Sequence, residues 1–66
     1  MNILEDQPSI SELEAAWSDC HSLEGKGAPY TSALQDLKTM RDRRTTWYGN
    51  EFKLMFALDR YLKAKW

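Results

Sequence analysis

Cys20 and His21 are the only thiol and the only imidazole in the chain, so any nucleophile-and-base chemistry would have to come from this adjacent pair. Neighbours on a helix point about 100° apart, which keeps the two side chains from sharing a hydrogen bond within one chain. The periodicity instead places Cys20 in an apolar stripe and His21 on its flank. One cysteine cannot close an internal disulfide, and the two residues together fall short of a structural zinc set. Glu12 with Asp19 and Glu5 with Asp6 offer carboxylate pairs, but acid-base work needs a water-poor cleft, and acids near a helix N-terminus read as a solvated face. Gly25 and Gly27, in E-G-K-G-A-P, lack the preceding strand and the G-K-[ST] ending of a phosphate loop. The expectation is a chain with no enzymatic activity, no cofactor and no metal.

A second constellation has more specific content. Lys38, Arg41, Arg43, Arg44 and Lys53 surround Trp47 and Tyr48, and cations interleaved with aromatics can hold phosphates while rings stack on unpaired bases. A net charge of -1 and a pI near 5.7 oppose binding to a polyanion. Trp, Tyr and Arg are also the types enriched where proteins grip one another. Arg43, Arg44, Trp47 and Tyr48 are therefore the expected partner-binding patch, with nucleic-acid binding through 38–53 as the alternative.

Three helices must position these groups. Ser9 and Glu12 form an S-x-x-E capping box ahead of Ile10, Leu13, Trp17 and Cys20, which predicts a helix over about 9–24 that stops at Gly25. After the loop, Tyr30, Ala33, Leu34, Leu37 and Met40 share one side of a helix over about 30–45, which ends in a basic turn that complements its dipole. Thr45, Thr46 and the Gly49-Asn50 pair break it. Asn50 is the expected cap of a third helix over about 50–65, and Leu54, Met55, Leu58, Tyr61, Leu62 and Trp66 line its apolar side. Phe52 and Phe56 widen that side to roughly 200°, more than one core needs. The same periodicity assigns Trp17, Phe52 and Phe56 to the core. No stretch reads as a strand, so the fold class is all-α: a small three-helix bundle, or a helical hairpin plus a C-terminal helix.

Sixty-six residues make a single domain with a small core. Without disulfide or zinc, a chain this short is expected to gain stability from a partner, and surplus apolar surface on the third helix points to a homodimer through Leu58, Tyr61, Leu62 and Trp66. Charge divides along the chain: residues 1–33 carry six acids and one base, and residues 34–66 carry eight bases and four acids. That division favours contact between the halves, in one chain or across two. The lone cysteine and a start lacking a signal-peptide pattern fit a cytoplasmic setting, and no run reaches membrane-spanning length. The expected function is docking on a larger cytoplasmic protein and modulating it, most simply by inhibition. That profile is similar in style to the accessory proteins of phages and mobile elements.

Overall fold

A computed structural model describes residues 7–66 and shows three helices joined by two short connections: α1, Ile10–Ser22; α2, Ala28–Arg43; and α3, Glu51–Lys65. The carboxylate pair Glu5 and Asp6 lies outside the described residues. The all-α class is as expected, and each helix forms where its apolar period predicts it, with ends that differ by no more than two residues.

Local chemistry accounts for those ends. The Ser9 hydroxyl accepts a hydrogen bond from the Glu12 N–H at 3.2 Å, which starts α1 as its capping pattern requires. The helix closes at Ser22, ahead of the expected Glu24, because the backbone turns through Leu23 into Gly25 at φ +80. Pro29 occupies the first turn of α2, where its missing N–H leaves no helical bond unmade. α2 ends at Arg43 because the Gln7 side chain captures the next stretch of backbone. Gln7 Oε1 accepts from the Thr45 N–H at 3.1 Å and its hydroxyl at 2.9 Å, and Gln7 Nε2 donates to the Thr46 carbonyl at 3.4 Å. Asn50 does not cap α3: it is already helical in backbone (φ -68, ψ -12), and its side chain makes no capping bond. The carboxylate of Glu51 takes that part, accepting from the Tyr48 N–H at 3.0 Å.

The core draws on all three helices: Leu13 and Cys20 from α1, Leu34 and Leu37 from α2, and Leu58, Tyr61 and Leu62 from α3. Ile10, Trp17, Tyr30, Met40, Trp47 and Leu54 are among the half-buried side chains packed around it. The body measures 36 × 26 × 17 Å, and with three helices around one core every helix keeps an outward side. Truncation of Leu37 or Leu58 to alanine is expected to cost about 2–5 kcal/mol, whereas Phe56→Ala stays within about 0.5 kcal/mol. Urea unfolding of the three variants measures the contrast.

Candidate functional site

The anticipated patch divides into a buried part and an exposed part. Arg44 sits inward, with its side chain only 9% exposed. It donates to the Pro8 carbonyl at 2.9 Å and to Glu51 Oε1 at 2.6 Å, and its guanidinium lies 4.9 Å from the centre of the Trp47 ring. Trp47 in turn packs on the core. Both are structural here: they pin the start of α1 and the start of α3 to the α2–α3 connection, and a charged group this enclosed is stabilised only through such partners. Arg43 stands exposed at the end of α2, and Tyr48 is 69% exposed.

The expected dimer surface also changes. Leu58, Tyr61 and Leu62 belong to the core of their own chain and offer no outward surface, because they are the residues that meet α1 and α2. Tyr61 is fixed further by hydrogen bonding: its hydroxyl donates to Glu24 Oε1 at 3.1 Å and lies 3.4 Å from the Tyr30 hydroxyl. Trp66 alone of that set is exposed, with Lys38 Nζ 5.6 Å from its ring centre.

With Leu58 turned inward, Phe56 lies about 160° away around the helix and faces solvent. Phe56 is 63% exposed and Phe52 44%, which corrects their assignment to the core. Lys53, Arg60, Lys63 and Ala64 are exposed on the same outward sector, and the acid at its border, Asp59, is paired with Arg41. None of the three cations takes part in an ion pair among the described residues. Tyr48 stands four residues before Phe52, so three aromatics at four-residue intervals run from the connection onto α3. The signal for this face was in the sequence: an apolar arc too wide for one core, interrupted by Lys53 and Arg60.

By contrast, the basic stretch 38–53 is largely neutralised within the chain. Lys38 pairs with Asp42 at 3.5 Å, Arg41 with Asp42 at 2.5 Å and with Asp59, and Arg44 with Glu51. Cys20 is fully buried, and burial pushes its thiol pKa up, with Asp19, Asp36 and Glu24 adding to the shift. That is the opposite of an activated nucleophile. A groove of about 400 Å³ between α1 and α3 is lined by Glu14, Trp17, Ser18, His21 and Leu54. His21 there faces the Trp17 and Tyr61 rings at 5.7 and 4.9 Å. Among the described residues no cluster of His, Cys, Asp and Glu is placed to hold a metal ion, and no helix is long and apolar enough to cross a membrane. No protein family, curated protein or solved structure matches the chain.

Two measurements follow from the Arg44 anchor. Arg44→Ala is expected to lower stability by about 1.5–3 kcal/mol, the range for hydrogen bonds to charged groups, while Tyr48→Ala changes it little; thermal unfolding of both distinguishes a structural arginine from a merely exposed one. The Arg44 hydrogen bond, then that of the Tyr48 N–H, holds the Glu51 carboxyl below its ordinary value, and Arg41 does the same for Asp42. A depressed carboxylate stabilises the fold fully above its unfolded pKa and loses that contribution as pH falls through the folded value. Stability should therefore fall with acidification below about pH 4, and Glu51→Gln should be less stable at neutral pH with a shallower acid dependence, read from unfolding midpoints across a pH series.

Proposed function

We propose that this chain is a non-enzymatic protein-binding module that docks on a larger protein through the outward face of α3 and inhibits it by covering the surface on which it docks. The observation that carries this reading is the pair of exposed phenyl rings, Phe52 and Phe56, beside Lys53, Arg60 and Lys63. Large aromatics held on a helix bring contact area at little cost in entropy, and anchors at i and i+4 suit a helix laid in a groove. The partner that fits is an apolar cleft with an acidic rim: the rings fill the cleft, and the cations meet carboxylates that also orient the encounter. Tyr48 extends the contact toward the connection. A reducing, cytoplasmic setting suits the buried thiol of Cys20.

The alternative, nucleic-acid binding through residues 38–53, is weakened by the ion pairs that occupy Lys38, Arg41 and Arg44. Affinity capture from the source cell, using the intact chain and a Phe52→Ser plus Phe56→Ser variant as paired baits, tests the docking face. A specific protein retained by the first and reduced at least about tenfold with the second, at unchanged thermal midpoint, supports the proposal; about 1.4 kcal/mol suffices for that ratio. Equal retention by both baits removes the α3 face from the reading. Salt-sensitive oligonucleotide binding that is lost in Lys53→Ala plus Arg60→Ala would replace protein docking with nucleic-acid docking.

A further inference from the structure

Among the described residues, the uneven charge along the chain is only partly paired within the fold. Of the ion pairs among the described residues, only Lys65 with Glu24, at 3.5 Å, joins the acidic first half to the basic second half. Glu12, Glu14, Asp19 and Asp36 take part in none of them. Asp19 and Asp36 border one groove between α1 and α2, about 210 Å³ in volume, whose other lining residues are Ala16, Ala33 and Met40. Two alanines make the groove roomy, Met40 makes part of its wall adaptable, and the two acids make it negative. A void of roughly 150 Å³ accommodates one benzene ring, so the groove is of a size to receive a phenyl side chain.

The α3 face has the complementary form. Phe56 projects from it with Lys53 three residues before and Arg60 four residues after, so a cation lies about one helical turn to either side of the ring. No α3 residue lines the α1/α2 groove, and both surfaces are therefore presented by the same chain at once. A symmetric pairing of two α3 faces is disfavoured, because it would set Lys53, Arg60 and Lys63 against their own copies.

We infer that the groove between α1 and α2 is the seat of a second copy of this chain: Phe56 of one copy enters it, and Lys53 and Arg60 meet Asp19 and Asp36 of the next. Such a contact is heterologous, leaving one groove and one α3 face open at the ends, so assembly continues with concentration unless it closes into a ring. The inference rests on the docking proposal in one respect, namely that self-association covers the same α3 face and so holds it back from a target.

Sedimentation of the purified intact chain, from micromolar to millimolar concentration and at low and high salt, tests the inference without any partner. The weight-average mass should rise past that of a dimer with concentration and fall with added salt. Phe56→Ser alone should be monomeric, as should Asp19→Lys plus Asp36→Lys, all three positions being exposed in the chain. Mixing the two variants should give a one-to-one heterodimer and nothing larger, since each keeps one intact surface; this also shows that both are folded. A wild-type chain that stays monomeric overturns the inference, as does one that stops at a dimer while the variants fail to complement. Either result leaves target docking intact, whereas a chain that self-associates as described but captures no protein sinks the docking proposal alone.

Discussion

One side of α3 is buried against the other two helices, and Leu58, Tyr61 and Leu62 occupy it. They meet Leu13 and Cys20 of α1 and Leu34 and Leu37 of α2 in the single core. Helix geometry then leaves no choice about the rest: Phe56, two residues from Leu58, must point nearly opposite. The exposed aromatic and basic face is thus a direct consequence of core packing. A rotation of α3 that hid Phe56 would bring Leu58 and Leu62 into water, at about 1.5–3 kcal/mol for each leucine.

Among the described residues, the ion pairs act mostly within the second half of the chain. Arg41 ties α2 to α3 through Asp59, and Arg44 joins the connection to Glu51 and to the Pro8 carbonyl. These pairs absorb much of the positive charge that made residues 38–53 resemble a phosphate-binding stretch. Among the unpaired charges of the described residues, Asp19 and Asp36 border the α1/α2 groove, and Lys53, Arg60 and Lys63 stand on α3. Partly buried pairs resist screening and hold the fold together, whereas exposed unpaired charge remains available for association and responds to salt.

Much of the fold was legible in the residues. The apolar spacing of Leu13 with Cys20, of Leu34 with Leu37 and of Leu58 with Leu62 located each helix and its inner side, because a period near 3.6 requires a buried stripe. Ser9 and Pro29 marked helix starts through local chemistry that needs no tertiary partner. Asn50 misled for the complementary reason: it has the right type for a cap, but Glu51 reaches the Tyr48 N–H instead. The local break at Thr45 and Thr46 marked the end of α2 to within two residues, but the bonds from Gln7, 38 residues away from Thr45 in the chain, that hold this stretch are carried by no local rule.

By itself the sequence determined an all-α chain of three helices, the inner positions of each, and a surplus of aromatic and charged groups beyond what a small core can use. These are properties of spacing and composition, which act over one or two turns. Tertiary structure alone decided which part of the surplus was absorbed and which remained. Arg44 and Trp47 went inward because the start of α1 supplied the Pro8 carbonyl and the start of α3 supplied Glu51. Phe52 and Phe56 went outward because α1 and α2 together cover a single sector of α3, and their neighbours Leu58 and Leu62 fill it.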